Sequence, residues 1–223
     1  MRRRQSGRRD RPWSTAKSLD RRAFLIGAPL VLAGCSGAQS VRATDDAVRA
    51  ARYQGNGPTA LTLYTVRNAG SDNGAHSALM VDASQRVLFD PAGSFSSPSI
   101  PERDDVLFGI TTQVEALYVS FHARETYYVE KQRILVPAPV AERAVQLSLA
   151  HGPVAQMYCT RAVSSVLTQL PGFEILKSRL FPDRLADDFQ AIPGVVRTII
   201  RENDADDKSI AQAAIDATLT VPQ

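Results

Sequence analysis

Three short segments with strand character follow one another closely, and they constrain the fold more than any other feature of this chain. They are Leu61–Val66, His76–Val81 and Arg86–Asp90. Apolar and polar residues alternate in the first segment, turn residues at 68–74 separate it from the second, and Asp82–Gln85 forms a short turn before the third. Alternation with a period of two is typical of a strand, and short connections join antiparallel neighbours. The three segments therefore predict an antiparallel sheet.

The rest of the chain predicts two more strands and three helices around this sheet. β-Branched and aromatic residues favour strands, whereas apolar residues at helical spacing, bounded by proline or glycine, favour helices. The predicted strands are Leu117–His122 and Tyr127–Val136, and the predicted helices are Val140–Ala150, Cys159–Leu170 and Pro182–Ala191. This layout predicts an α+β fold in which an antiparallel sheet packs against helices.

Composition divides the chain into a leader at 1–35, a linking segment, a globular domain at 59–200 and a tail. The linking segment, 36–58, contains Ser, Gly, Asn, Gln and Pro, and we interpret it as a flexible tether with a short helix over Asp45–Arg52. The tail, 201–223, contains an acidic stretch at Asp204–Asp207 and is predicted to be partly helical.

Charge is distributed unevenly between the leader and the rest of the chain. The whole chain has 26 Lys and Arg against 23 Asp and Glu, a net charge of +3. Nine of the basic and two of the acidic residues lie in the first 35 positions, so the remaining 188 residues carry a net charge of −4. Because the excess of arginine belongs to the leader, the predicted domain lacks the basic character expected of a nucleic-acid-binding protein.

The leader has the form of a bacterial export signal. Arg21 and Arg22 directly precede an apolar stretch, Ala23–Ala33, and a basic region followed by a short apolar region is typical of such signals. The Arg-Arg-x-Phe-Leu pattern resembles a twin-arginine signal, which directs folded proteins across the bacterial inner membrane. Leu32-Ala33-Gly34-Cys35 resembles the lipobox of bacterial lipoproteins, which implies that Cys35 is lipidated and becomes the first mature residue.

The lipoprotein resemblance also predicts where the protein resides. It implies a cell-envelope protein that faces the periplasm and is held to a membrane by its N-terminal lipid. Ser36 follows the lipidated position, and the lack of Asp there favours the outer over the inner membrane in a two-membrane bacterium. The alternative for the leader is an uncleaved membrane anchor with an incidental cysteine.

Cys159 becomes the only thiol of the mature chain if Cys35 is lipidated. An unpaired cysteine in an exported protein calls for a functional hypothesis. Cys159 begins a predicted helix, where free N–H groups and the helix dipole stabilise a thiolate. His76 opens a predicted strand and would supply the base that a thiol nucleophile needs. Asp90 ends the paired strand, where its carboxylate would orient the imidazole.

The order of these three residues resembles that in a known family. The matching segments are Gly74–Leu79, Val87–Asp90 and Tyr158–Val163. They resemble the circularly permuted branch of the NlpC-type papain-like cysteine hydrolases, the branch that includes lecithin–retinol acyltransferase, over roughly residues 60 to 175. The resemblance implies a permuted papain-like fold with Cys159 as nucleophile, His76 as general base and Asp90 as the third, polar residue. Many relatives have Asn before the cysteine, whereas this chain has Tyr158.

Each candidate residue also has a purely structural interpretation. A single buried cysteine such as Cys159 is commonly an inert small apolar residue. His76 would then be a structural histidine, and Asp90 would begin a turn before Pro91. His122 lies among apolar residues of a predicted strand and is interpreted as structural. His151 is interpreted as a cation that caps the end of a helix, with contact to substrate as its second interpretation.

The predicted function is that of a lipid-anchored thiol hydrolase or acyltransferase, which cleaves an amide or ester bond of an envelope substrate. Location and resemblance together favour peptidoglycan peptides or lipid acyl groups as substrates. The alternative is a non-catalytic envelope lipoprotein that uses the same fold for binding or scaffolding. No cofactor or metal is predicted, because the histidines and the thiol lack zinc-ligand spacing and no glycine-rich phosphate loop is present.

Overall fold

The structure is a computed structural model that describes residues 40–220. The predicted leader, with Arg21, Arg22 and Cys35, and the adjacent Ser36 lie outside the described residues. The helices within this range are α1 (Asp45–Ala50), α2 (Thr112–His122), α3 (Ala138–His151), α4 (Cys159–Leu167), α5 (Pro182–Gln190) and α6 (Lys208–Thr220). The strands are β1 (Ala60–Asn68), β2 (Gly74–Asp82), β3 (Arg86–Phe89), β4 (Glu102–Arg103), β5 (Val106–Phe108), β6 (Tyr127–Leu135) and β7 (Val196–Ile200).

All seven strands join one sheet, in the order β4-β5-β3-β2-β1-β6-β7, and every neighbouring pair is antiparallel. The predicted hairpin is present, with β2 paired to both β1 and β3. Helices and an antiparallel sheet therefore confirm the α+β prediction.

Helices cover both faces of the sheet. Side chains along a strand point alternately to the two faces, so each face contributes to a separate apolar cluster. Leu61, Leu63 and Leu79 belong to one apolar cluster, which also includes residues of α3, α4 and α5. Tyr64 and Met80 belong to a second cluster, which includes residues of α2 and α6. The sheet is thus the middle layer between two groups of helices.

The prediction of a strand over Leu117–His122 is wrong, because these residues lie in α2. Thr111 caps this helix by accepting a hydrogen bond from the backbone N–H of Val114 at 3.1 Å. Val114, Tyr118 and Phe121 are buried at spacings of four and three residues, which form one face of a helix. The aromatic and β-branched content that suggested a strand instead serves this buried face.

The described part of the predicted tether does not behave as a free linker. Its short predicted helix is present as α1, where Thr44 accepts a hydrogen bond from the N–H of Ala47. Val48 packs against the first apolar cluster, and Arg42 pairs with the buried carboxylate of Asp104 at 2.7 Å. These contacts join the segment to the globular domain.

The predicted tail is also part of the domain, since α6 places Ala211 and Ile215 in the second apolar cluster. Within residues 40–220, no helix has both the length and the apolar character required to cross a membrane.

Candidate active site

His76 lies at an irregularity of the central hairpin. Val66 of β1 pairs with His76, but the next residue, Arg67, pairs with Gly74, so Ala75 is an extra residue in β2. Such a bulge bends the strand and re-aims the neighbouring side chains, and bulges are frequent beside active sites. His76 is therefore set into the end of the sheet beside both groups of helices.

Cys159 is the first residue of α4, as the sequence predicts. Met157 before it adopts a left-handed backbone conformation with φ of 74°, which is strained for a side chain of this kind. Tyr158 provides no side-chain hydrogen bond to the helix start. The first-turn N–H groups of α4 thus remain available to negative charge at Cys159.

The residues that follow His76 and Cys159 are also in contact. The hydroxyls of Ser77 and Thr160 lie 3.1 Å apart, and both side chains are fully buried. Because each is adjacent to a candidate catalytic residue, their hydrogen bond holds the start of α4 against β2 and sets the approach of the thiol to the imidazole.

Asp90 holds the imidazole of His76 from the other side. Its Oδ1 lies 2.6 Å from Nε2 of His76, and the hydroxyl of Tyr118 donates a second hydrogen bond to the same oxygen at 2.9 Å. Register explains the contact, since Met80 pairs with Leu88 and Asp90 continues the alternation of β3 to lie diagonal to His76. With Nε2 engaged, Nδ1 is the ring nitrogen left for Cys159.

Electrostatic interactions couple the ionisation of Cys159, His76 and Asp90. Burial opposes a charge on His76, but Asp90 and then Cys159 overcome this effect and raise the pKa of His76 to about 10. Burial likewise opposes ionisation of Asp90 and Cys159, yet the neighbouring imidazole holds the pKa of each below its ordinary value. The nearby backbone N–H of Ser77 lowers the pKa of the thiol further. Both shifts favour a thiolate beside an imidazolium over a neutral thiol beside a neutral imidazole.

His122 is a second imidazole in the site, and its pKa is shifted in the opposite direction to that of His76. Its ring is stacked on that of His76 with centroids 5.8 Å apart, and Nδ1 lies 2.9 Å from the carbonyl oxygen of Tyr118. Burial lowers the pKa of His122 to about 4, since no carboxylate contacts it directly. His122 is therefore neutral when His76 is charged.

An open cavity of about 450 Å³ gives access to the site, a volume within the usual range for small-molecule binding. Its lining residues are Val66, Ala75, His76, Ala92, Gly93, Ser94, His122, Tyr127, Gln156, Met157, Cys159 and Lys208.

The structure brings together Cys159, His76 and Asp90 and leaves His151 apart. His151 ends α3, is exposed and contacts the Gly152 carbonyl through Nδ1 at 3.2 Å, and it does not line the cavity. It lies at the helix end as predicted.

Sequence reasoning missed Tyr118, His122 and Lys208 as residues of the site. The spacing of four between Tyr118 and His122 was the available signal, because it places both rings on one face of a helix. Lys208 lies in the tail and gave no motif.

Nowhere in residues 40–220 do three or more His, Cys, Asp or Glu side chains come together as a metal-binding group. Comparison of the chain with family models, curated proteins and solved structures found no match.

Proposed function

We propose that this protein is a thiol hydrolase or acyltransferase that cleaves an amide or ester bond through Cys159, His76 and Asp90. The observation that carries the proposal is the position of His76 between a buried carboxylate, 2.6 Å away, and the thiol at the start of α4, whose pKa it lowers. A thiolate paired with an oriented imidazolium is the arrangement that nucleophilic catalysis by cysteine requires.

In the first half of the reaction, the Sγ thiolate of Cys159 attacks the carbonyl carbon of the substrate. The carbonyl oxygen takes up the negative charge, which the first-turn N–H groups of α4 stabilise. The C–N or C–O bond then breaks, and the imidazolium of His76 gives its Nδ1 proton to the departing nitrogen or oxygen. The products of this half are a thioester on Cys159, a neutral His76 and a free amine or alcohol.

In the second half, His76 acts as the base. Its Nδ1 removes a proton from water, or from an acceptor hydroxyl or amine, as the oxygen or nitrogen of that molecule attacks the thioester. The C–S bond breaks, the acyl group leaves as an acid or as the transferred acyl product, and the thiolate–imidazolium pair is restored. Asp90 orients the ring and stabilises its charge throughout without being protonated.

We also propose the permuted papain-like architecture and the envelope location for this chain. The order of the elements supports the first, since the strand that bears the base precedes the helix that bears the nucleophile. The leader sequence supports the second, through the paired Arg21 and Arg22 and the lipidation motif at Cys35. In the envelope, peptidoglycan peptides and lipid acyl groups are the candidate substrates.

The test is the pH dependence of the reaction of Cys159 with iodoacetamide. The full chain carrying Cys35→Ser has Cys159 as its only thiol. We expect the rate to rise with a midpoint well below the ordinary cysteine pKa of about 8.5, and His76→Ala to move that midpoint to 8.5 or higher. His151→Ala is the matched control, because this histidine lies outside the cavity, and it should leave the curve in place.

An ordinary midpoint in the unsubstituted site, or the same midpoint after His76→Ala, would contradict the proposal and favour a non-catalytic lipoprotein. His76→Gln repeats the measurement if the alanine variant unfolds, since it keeps most of the side-chain volume and removes the positive charge.

A further inference from the structure

Helix α6 brings one cation into the cavity that contains Cys159. Ala211 and Ile215 anchor this helix in the second apolar cluster, and the side-chain amide of Gln212 donates to the carbonyl of Ser96. Lys208, the first residue of α6, then lines the same cavity as Cys159 and His76. Its charge acts on both His122 and Asp90, which places the ammonium within electrostatic reach of the catalytic unit.

The ammonium of Lys208 has no carboxylate partner among the described residues. It lies 3.4 Å from the hydroxyl of Ser94 and 4.5 Å from the centre of the Phe121 ring. Neither contact neutralises the charge. Although the residue as a whole is exposed, the surrounding protein removes part of the water from the ammonium, and this desolvation lowers the pKa of Lys208.

The acidic residues that precede Lys208 are already engaged elsewhere. Asp204 pairs with Arg124 at 3.4 Å, Asp206 accepts hydrogen bonds from Thr126, and Asp207 accepts hydrogen bonds from Ser209. None of these three carboxylates therefore pairs with the cation at position 208.

The other charges at the cavity belong to the catalytic unit, which pairs one imidazolium with two anions. None of the side chains that line the cavity is a carboxylate. The imidazolium of His76 lies between Asp90 and the thiolate of Cys159, so it is already paired with anions. An anionic group on a ligand would therefore find one complementary cation, Lys208, with the hydroxyl of Ser94 beside it. One ammonium and one hydroxyl suit a carboxylate, whereas phosphate sites more often present an arginine fork or several backbone N–H groups.

We infer that Lys208 and Ser94 form a subsite for a carboxylate carried by the substrate of Cys159. The inference rests on the proposed function, because it assigns a charge to the acyl or leaving group of the same reaction. It narrows the substrate class to amides or esters that bear a carboxylate near the bond to be cleaved.

The test compares two alkylating reagents that have the same leaving group and differ in charge. Iodoacetate carries a carboxylate and iodoacetamide is neutral, so the ratio of their rates at Cys159 reports the charge of the cavity. In the full chain with Cys35→Ser, we expect Lys208→Met to lower the iodoacetate-to-iodoacetamide ratio about fivefold at low ionic strength, the size expected of one partly hydrated charge several ångströms away.

Two further variants and a change of salt test whether the charge at position 208 causes the effect. Lys208→Arg should retain most of the ratio, Lys208→Glu should lower it beyond the methionine value, and 0.5 M salt should reduce the difference between variants. Lys177→Met is the matched control, since this exposed lysine does not line the cavity, and it should leave the ratio at its original value.

A ratio that is the same with Lys, Met and Glu at position 208 would overturn the subsite. That failure is distinct from failure of the proposed function, which would appear as an ordinary pH midpoint with both reagents. Because the two reagents share one thiolate, a change in the pKa of Cys159 cancels in the ratio.

Discussion

Replacement of Asp90 by Asn should convert His76 from an imidazolium to a neutral imidazole at pH 7. The amide has nearly the same shape as the carboxylate and removes only the charge that lies 2.6 Å from Nε2. His122 shows what the same environment does to an imidazole that no carboxylate contacts. Its ring is stacked 5.8 Å from that of His76, and burial lowers its pKa to about 4.

The expected size of the change follows from these two rings. The pKa of His76 is about 10, and without Asp90 burial should bring it below the ordinary value of about 6.5. That change is on the order of 5 kcal/mol in the preference for the charged ring. At pH 7 fewer than about one molecule in four would then hold the imidazolium, and the thiolate of Cys159 would lose its counter-ion. At pH 7 we therefore expect iodoacetamide to react with Cys159 more slowly than in the unsubstituted protein, by up to about 30-fold.

Nitrogen-15 NMR of the imidazole rings measures the change directly. The chain has three histidines, so His122→Gln and His151→Gln variants suffice to assign the signals. We expect the two ring nitrogens of His76 to report an imidazolium up to about pH 9 in the unsubstituted protein and a neutral ring at pH 7 in Asp90→Asn. The signals of His151, which lies outside the site, should be the same in both proteins.

An imidazolium that persists at pH 7 in Asp90→Asn would refute the argument that Asp90 sustains the charge. In that event the thiolate of Cys159 would be the sustaining anion, and Cys159→Ser would neutralise His76 where Asp90→Asn did not.

Three other predictions concern the support of the carboxylate. Tyr118→Phe removes a hydrogen bond to Asp90 and should lower the free energy of unfolding in urea by about 2 kcal/mol, with a smaller rise in the thiol midpoint than Asp90→Asn causes. Gly93→Ala would place a β-carbon 1.9 Å from Oδ2 of Asp90, so its thiol midpoint should rise, whereas Gly57→Ala, with open space around it, should have no effect. The pKa of His76 is raised on folding, so the charged ring stabilises the folded state fully below about pH 6.5, and this stabilisation is lost as the pH rises through about 10. Between these two pH values, the difference in urea midpoint between the unsubstituted protein and Asp90→Asn should shrink.

The hairpin was predictable because its local signals agree. The alternation in β1, the short turn before β3 and the register they impose bring Asp90 diagonal to His76. Once the hairpin is predicted, the spacing of fourteen residues between His76 and Asp90 therefore predicts that their side chains are neighbours. The start of α4 at Cys159 was predictable from the apolar positions that follow it.

Helix α2 was not predictable by the same reasoning, because its content of aromatic and β-branched residues favours a strand. Burial against the second cluster and the Thr111 cap outweigh that preference. The error concealed Tyr118 and His122, whose rings lie 4.5 Å apart only because one helical turn separates them. In an extended strand the same two residues would lie about 13 Å apart.

Strands β4 and β5 are two and three residues long, too short for any periodicity to show. The contribution of Lys208 depends on how α6 packs across the domain, and this contact between distant parts of the chain leaves no local pattern.

The hydroxyl pair of Ser77 and Thr160 has a consequence for how this site can change. These residues face the sheet and helix interior while their neighbours, His76 and Cys159, face the cavity. Substitutions at 77 and 160 would thus alter the separation of thiol and imidazole without altering any surface that a substrate touches. In the proposed reaction, reactivity and substrate preference would then depend on different residues, so laboratory evolution could vary one while it holds the other fixed.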